Sequence, residues 1–580
     1  MLFDWTRELT GHKIRADLMA GLSGAVLGLP QVMAYAMIAG MPPETGLYGA
    51  IIITALAALF GSSWHMISGP AAAISIVILS VVSPLAGPGS DTFVALVLAL
   101  TLLTGLIQIS LGLFRLGSLV NFISHTVVIG FTAGAAFLIA ASQLKHLLAI
   151  PVPSGANLFD TLKSIAERID QLNPTALGIG LITLATTILL RAANRRFRIR
   201  LPHLLLGLIA GSAAGYLLDG EAKGVAMLGA LPSGLPAPAL PAIGLDTVGT
   251  LASGAFALAL LGLIEAVSIA RAIALRSHQQ IDGNREFLGQ GIANATGSLF
   301  SCFAGSGSFT RSGINYDSGA QTPLAALFGA LVVASIMFGI PEITRWLPLP
   351  AMAGTILLIS WNLIDRPHIR QILSAGRTES LVLIATFAAT LLVNPVFSIY
   401  VGVVLSIAFY LRRTSRPSVI QVAPLQDTER RSIRNVERYR LRQCPQLQII
   451  RIDGSMFFGC VDHIQQHLRR LVRHSEGPPR ILILGKGINF IDVSAVEMLI
   501  QEAERIEALG GRLMFCAFKG VLLDDLERTG LLSRLGAARF FGSTEEAIAA
   551  TVPTLDSAIC ARCTARIFRE CPPPPEEANR

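Results

Sequence analysis

From Ala16 to Leu411 the chain is a succession of apolar segments joined by short polar connections. Such segments leave few choices of fold. Where no water reaches the backbone, each N–H and C=O must be satisfied inside the segment, so spans are helices or strands of a closed barrel. Segments of this length match helices. The whole sequence is 52% hydrophobic and 14% charged, against about 25% charged in a soluble domain. The expectation is therefore a polytopic α-helical membrane protein with a soluble portion attached, its partner surface the lipid bilayer. A net charge of +8 is small for 580 residues. It fits the positive-inside bias of membrane proteins and not nucleic-acid binding.

The first span, Ala16–Gly40, contains Pro30, Gln31 and Tyr35. Met41–Tyr48 reads as a turn and Ala50–Gly61 as the second span. Further spans are expected at Thr92–Phe114, Phe122–His146, Pro174–Leu190, Pro202–Leu218, Thr247–Leu275, Glu286–Cys302, Pro323–Ile340, Pro350–Leu363, Ser380–Val393 and Val396–Leu411. Val152–Asn173 is a polar, amphipathic connection, and Gly224–Gly244 an extended stretch rich in Pro and Gly. Basic clusters at Arg191–Arg200, Arg271–Arg285, Asp365–Arg377 and Arg412–Arg416 fall on one side if the N-terminus is inside. Both termini are then cytoplasmic and the chain sits in the cell membrane. No cleavable signal peptide is evident at Met1–Arg15.

Two segments break the pattern. After Ser62–Pro70 the apolar run Ala71–Val82 has twelve residues, where a span needs about 20. Pro70 suits the first turn of such a half-helix. Gly305–Asn315 carries Ser306, Ser308, Thr310, Arg311 and Ser312 between two apolar segments. A helix starting there presents free N–H groups and the positive end of its dipole, and Arg311 adds a permanent charge. Together these make an anion site. A polar loop outside the membrane would contain the same residues, so the reading rests on recurrence. Each break comes third in its group of segments, and matched breaks in two halves mark the substrate site of an inverted-repeat transporter. With the half-helices the segments number about fourteen, as 7+7.

Glu265 is a lone carboxylate in the apolar span Thr247–Leu275. A charge there is costly and reads as functional by default. Poised between burial and a nearby Arg, it can bind and release a proton during transport. The alternative is a permanent Glu265–Arg311 ion pair that only holds the bundle together.

After Pro417 the composition turns polar. Strands at Leu447–Asp453, Arg480–Leu484 and Arg512–Ala517 alternate with helices at Val461–Ser475, Ala495–Leu509, Leu522–Thr529 and Thr544–Ala550, which argues a small α/β domain. Ser494 is expected to help cap its helix. The division expected is 1–15 cytosolic segment, 16–413 transport domain, 414–553 α/β domain and 554–580 disordered Cys/Pro-rich tail. Cys560, Cys563 and Cys571 have metal-like spacing but lack a fourth ligand, so the tail is read as reduced, with no metal and no cofactor.

The residues resemble those of the SulP sulfate permeases, a family of anion carriers and exchangers. The resemblance runs from Asp17 to about Thr551. It is carried by Leu-Pro-Gln-Val-Met-Ala-Tyr-Ala (29–36), Pro-Pro-Glu-Thr-Gly-Leu-Tyr (42–48), Phe-Gly-Ser-Ser-Trp-His (60–65) and Gly-Pro-Ala-Ala-Ala-Ile-Ser (69–75). In the second half it is carried by Ile-Asp-Gly-Asn-Arg-Glu-Phe (281–287) and Gly-Ser-Phe-Thr-Arg-Ser-Gly-Ile-Asn-Tyr-Asp-Ser-Gly-Ala-Gln-Thr (307–322). The C-terminal domain is similar to STAS domains, although Val493 stands where their phosphorylatable members place Ser.

The resemblance implies an inverted repeat divided into core and gate, an elevator-like motion and a homodimer. It places the anion between the N-termini of segments three and ten. Matched by motif, the site would use Gln31, Tyr35, the backbone of Ala71 and Ala72, Ser308, Thr310 and Arg311. Members with an acid at the place of Glu265 resemble cation-coupled symporters. The expected function is secondary active transport of a small oxyanion, sulfate by proton symport first. Na⁺-coupled bicarbonate and proton-coupled dicarboxylate transport are the alternatives, and no enzyme activity is expected. A membrane-anchored anion sensor reporting through the STAS domain is the alternative of another class.

Overall fold

Proline, glycine and small polar residues decide where the helices begin. The computed structural model describes residues 5–6, 9–117, 124–152, 158–197, 201–229, 234–339, 345–425 and 432–572. Helix α1 (Gly11–Ile38) starts behind Thr10, whose hydroxyl accepts from Lys13 N at 3.3 Å. Helix α2 (Pro43–Phe60) starts with Pro at its first turn. The expected turn at Met41–Tyr48 is therefore confined to its first residues, because Pro43 is preorganised for a helix and its missing N–H costs nothing there.

The half-helix α3 (Ala72–Val82) follows, then α4 (Asp91–Leu113), α5 (His125–Leu148) and the amphipathic α6 (Leu158–Glu167). Next come α7 (Pro174–Phe197), α8 (His203–Leu217), α9 (Leu245–Ser277) and α10 (Gly283–Leu299). The second half-helix is α11 (Phe309–Asp317). Then come α12 (Leu324–Gly339), α13 (Leu349–Leu363), the surface helix α14 (Arg366–Ala375), α15 (Arg377–Leu392) and α16 (Pro395–Thr414). Among the described residues seven helices are long and apolar enough to cross a membrane: α1, α2, α4, α5, α7, α9 and α16. Helices α8, α10, α12, α13 and α15 are shorter, at 15 to 17 residues.

Two bundles are distinguishable in this unit. In one, α1 packs on α12 and α2, α2 on α10 and α12, and α4 on α10 and α9. In the other, α5 packs on α13 and α15, and α7 on α13 and α8. Close approach depends on missing side chains, as in membrane helix pairs generally. A Cβ added at Gly291 of α10 would lie 2.6 Å from Ile109 N of α4, and one at Gly21 of α1 2.5 Å from Ala325 O of α12.

The chain divides into two compact units, 1–407 and 408–580. The first contains the short strands β1 (Ser68–Gly69) and β2 (Ser306–Gly307), and the second holds a sheet in the order β4-β3-β5-β6-β8-β9. Strand β3 (Ser418–Pro424) pairs antiparallel with β4 (Ile433–Asn435) and with β5 (Leu447–Met456). Strands β5, β6 (Arg480–Leu484), β8 (Arg512–Cys516) and β9 (Phe540–Phe541) run parallel, and β7 (Ile488–Ile491) pairs with the end of β5. Alternation sends Ile481, Ile483, Leu513 and Phe515 to one face, under α18 (Val461–Arg473), α19 (Val493–Ala508) and α20 (Gly520–Arg528). Leu482, Leu484, Met514 and Cys516 face the other side.

That second face corrects the expectation of a disordered tail beginning at 554. Helix α22 (Thr544–Thr551) and the buried Ile567 and Phe568 cover it; between them runs helix α23 (Ser557–Arg562), which buries none of its own residues. A parallel sheet needs both faces covered, and the tail supplies the second cover. Residues 573–580 lie outside the described residues. The cap of α19 is also corrected. Asp492, not Ser494, accepts from Ala495 N at 2.8 Å, and its second oxygen accepts from Phe458 N at 2.8 Å.

Candidate functional site

The two breaks in the apolar pattern meet. Ser68–Gly69 and Ser306–Gly307 form a two-stranded antiparallel ladder, with Ser68 opposite Gly307 and Gly69 opposite Ser306. Half-helix α3 leaves one end of this ladder and α11 leaves the other, so it is their N-termini that lie close together. Three more bonds pin the first break to the second. Ser308 N donates to Ile67 O at 2.9 Å, Ile67 N to Ser312 Oγ at 2.8 Å, and Asn315 Nδ2 to His65 O at 3.0 Å.

The N-terminus of α3 has no side-chain cap, because the cap position is Ala71. Its first intrahelical bond runs from Ser75 N to Ala71 O at 3.0 Å. The N–H groups of Ala72, Ala73 and Ile74 therefore have no intrahelical acceptor and carry the positive end of the dipole. Ala71 and Ala72 are buried. At α11 the situation differs: Ser308 is the cap, and its hydroxyl accepts from Arg311 N at 3.4 Å.

Arg311 is buried, and its Nη2 donates to Pro70 O at 2.7 Å. Its methylenes pass close to α1: a Cβ at Gly28 would lie 3.4 Å from Arg311 Cδ. Among the described residues its Nε has no hydrogen-bond partner. Gln31 and Tyr35 are one turn apart on α1 and both buried, so they share a face. Gln31 Oε1 has no hydrogen-bond partner among the described residues. Tyr35 lies within electrostatic reach of both Arg311 and Glu265. Glu265 of α9 sits beside Ser306 of the ladder, with Oε2 buried and unpartnered. The guanidinium binds the Pro70 carbonyl, and among the described residues Arg311 and Glu265 form no ion pair.

Tyr35, Glu265 and Arg311 are thus brought together beside the ladder, with Gln31, Ala71, Ala72 and Ser308 adjoining. Thr310 is not gathered in; it is exposed on the first turn of α11. A cleft of about 40 Å³ reaches Arg311 and Asn315 from the opposite side, between α1, α2 and α12. It is lined mostly by Gly and Ala and touches none of Gln31, Tyr35, Ala71 or Glu265.

Four polar residues behind the ladder escaped the reading of the sequence. Thr54 Oγ1 donates to Ser68 O at 2.6 Å, and Gln290 Nε2 donates to Ser68 Oγ at 2.6 Å. Asn294 takes Gly305 N on its oxygen at 2.8 Å and gives its amide to Gly305 O at 3.1 Å and to Gln108 Oε1 at 2.9 Å. Gln290 and Asn294 at i, i+4 in an apolar helix were the available signal.

Residues 14–386 match the sulfate permease family, and residues 438–547 match the STAS domain. Among relatives, the chain is 28% identical over 562 residues to "Probable sulfate transporter 4.2" of Arabidopsis thaliana, spanning 94% of this chain and 82% of that one. The fold is shared with murine Solute Carrier 26 family member A9, an anion transporter solved in the inward-facing state, at TM-score 0.84 and 20% identity over 94% of this chain and 93% of that one. The transmembrane domain of the cyanobacterial bicarbonate transporter BicA aligns with 69% of this chain and 98% of its own at TM-score 0.61 and 25% identity.

Proposed function

This chain belongs to the sulfate permease family, and from that premise we propose that it is a secondary active transporter carrying sulfate together with a proton. It is a multi-pass membrane protein and an anion transporter, not an enzyme. The observation that carries the finer reading is the convergence of Tyr35, Glu265 and Arg311 beside the uncapped N-terminus of α3.

The anion lies against the N–H groups at Ala71–Ala72, with Gln31, Tyr35 and Ser308 around it; the exposed Thr310 takes no part. Arg311, its Nη2 held by Pro70, offers its remaining N–H groups. Glu265 supplies the coupling. With its proton on, the carboxyl brings no negative charge to the place a dianion enters; with the proton off, the two repel. Each ligand thus raises the affinity for the other by the same factor. The bundle containing α1, α3, α9 and α11 carries the site and moves as an elevator against the bundle of α5, α7, α8, α13 and α15. The packing pairs interchange when a segment is replaced by the one seven places on: α1 on α12 answers to α9 on α4, and α2 on α12 to α10 on α4. This supports an inverted repeat. The chain works as a homodimer in the cell membrane, with both termini cytoplasmic.

The test is uptake of labelled sulfate into proteoliposomes with and without an inward proton gradient, for the wild type and Glu265→Gln. Gradient-driven accumulation in the wild type, with only that drive lost in the variant, is expected. No sulfate movement in either protein, but movement of bicarbonate, would replace the substrate; the likeness to a bicarbonate carrier makes that the second anion to try.

A further inference from the structure

We propose that the groove between α7 and α13 binds one phospholipid with an anionic headgroup, its phosphate held by Arg191, Arg195 and Arg196 and an acyl chain lying along Leu184, Ile188 and Leu357. The groove has a volume of about 880 Å³, and among the described residues that line it none is acidic. It shares no residue with the anion site beside the ladder, so it serves the protein whichever anion is carried.

The sequence of α7 divides the groove into two parts. Leu184, Ile188, Arg191 and Arg195 follow one another at spacings of three and four, so they lie on one stripe of the helix. Over about 10 Å of rise between Leu184 and Arg191 that stripe turns from apolar to basic. Helix α7 is long and apolar enough to cross the membrane, and its charged end is the one that the positive-inside bias puts at the cytoplasmic surface. The apolar part of the groove is then at the depth of acyl chains and the arginines at the depth of phosphates. Leu357 and Leu358 of α13 supply the facing wall, and the small Ala192 keeps the groove open beside the arginines.

Independent contacts fix the head of the groove. Arg191 Nη1 donates to Asn362 Oδ1 at 2.7 Å, which ties the last turns of α7 to the end of α13. Trp361 lines the same end, is 56% exposed, and carries the Arg366 guanidinium over its ring at 4.0 Å. An indole at this level suits the boundary between chains and headgroups, and Arg366 adds a further cation at the rim. Arginines at a helix C-terminus also complement its dipole. That role would account for Arg195 and Arg196 on any face of α7, but not for an apolar groove continuing from them or for a Trp on the facing helix. A free phosphate would use only the head of the groove and leave its apolar length unfilled. The anionic cytoplasmic leaflet supplies an occupant that matches both parts.

The test is native mass spectrometry of the full-length protein in a neutral detergent, titrated with phosphatidylglycerol or with phosphatidylcholine of the same chains. One phosphatidylglycerol per chain should be retained at least about tenfold more tightly than phosphatidylcholine. Arg195→Gln combined with Arg196→Gln should remove that preference, and both side chains are exposed, so the fold does not depend on them. Ala192→Phe keeps every charge but fills the groove, and should weaken retention comparably. Arg412→Gln combined with Arg413→Gln discharges the basic end of α16 instead and should keep the wild-type preference. Inorganic phosphate in large excess should not displace the lipid. Equal retention of the two lipids, an unchanged preference after loss of Arg195 and Arg196, or undiminished retention in Ala192→Phe would each overturn the proposal. So would loss of the preference with Arg412 and Arg413, which would mean a general surface attraction, or displacement by phosphate, which would mean a site for a free anion.

Discussion

Arg311 Nη2 donates to Pro70 O at 2.7 Å, across 241 positions of sequence. The bond ties the first turn of a nine-residue helix to the residue that launches the other half-helix. Pro70 has no N–H of its own, and its carbonyl lies just ahead of the free amides of α3. One guanidinium therefore both fixes the entry to α3 and brings positive charge beside its N-terminus. In the proposed transporter, binding and architecture meet in this side chain.

Arg311→Lys separates the two roles. An ammonium keeps the charge but loses the planar fork that holds Pro70 while leaving N–H groups for the anion. Sulfate affinity should fall at least about tenfold, or about 1.4 kcal/mol. Arg311→Ala should lose transport and, by leaving the buried Pro70 carbonyl unpaired, also cost about 1–3 kcal/mol of stability. Uptake kinetics with thermal unfolding in detergent distinguish the two. A Lys variant with unchanged affinity would place the anion elsewhere.

Ala71→Ser should move stability and function in opposite directions. A hydroxyl at the cap position would accept from a free amide of the first turn and stabilise α3 by about 1 kcal/mol. The same hydroxyl, bonded to Ala73 N or Ile74 N, intrudes on the turn against which the anion is proposed to lie, so KM for sulfate should rise severalfold while Tm stays level or rises. A lower KM would show that these amides are not the anion's partners.

The half-helices were legible because Pro70, Gly305 and Gly307 interrupt apolar runs, and Arg311 and Glu265 because a charge in such surroundings needs a reason. The ladder between the breaks was not legible. Two residues per strand carry no periodicity, and the partners are brought together by the helices around them. Strand β3 was hidden for a related reason: Ser418–Pro424 has only one well-buried end, so its polar residues outweigh its pattern. In the tail, four consecutive prolines after Cys571 dominated the composition, whereas only Ile567 and Phe568 are buried. The alternation of Leu482, Leu484, Met514 and Cys516 was the sign that a second face needed a cover.

Asn294 should prove as important to the ladder as any residue on it. Its amide meets both polar groups of Gly305 and the side chain of Gln108 in a buried setting. Asn294→Ala leaves three groups unpaired, each of which costs about 1–3 kcal/mol when buried. The protein should lose a large part of its thermal stability. Asn294→Asp keeps the acceptor for Gly305 N but presents an acceptor to Gly305 O, so it should be no milder. Thr54→Val loses one bond to Ser68 O and should cost less, about 1 kcal/mol. Melting temperatures of the three variants in one detergent give the order, and an Asn294→Ala protein as stable as the wild type would remove the ladder's support.

The ordered tail makes a separate prediction for the α/β unit. Phe568 is buried on the face opposite α18 and α19, against the cluster of Leu482, Met514 and Ile548. Phe568→Ala deletes an aromatic ring from that cluster and should destabilise the unit by about 3–5 kcal/mol, the usual cost of such a truncation. The loss should be local. Amides of β6 and β8 should exchange faster by hydrogen–deuterium mass spectrometry, while those of α4 and α10 in the membrane unit should be unchanged. Protease should also cut between Thr554 and Cys571 more readily in the variant than in the wild type. Equal exchange in β6 and β8 would mean that the second face is covered by something other than residues 557–572, and the tail would revert to the unstructured extension that its prolines suggest.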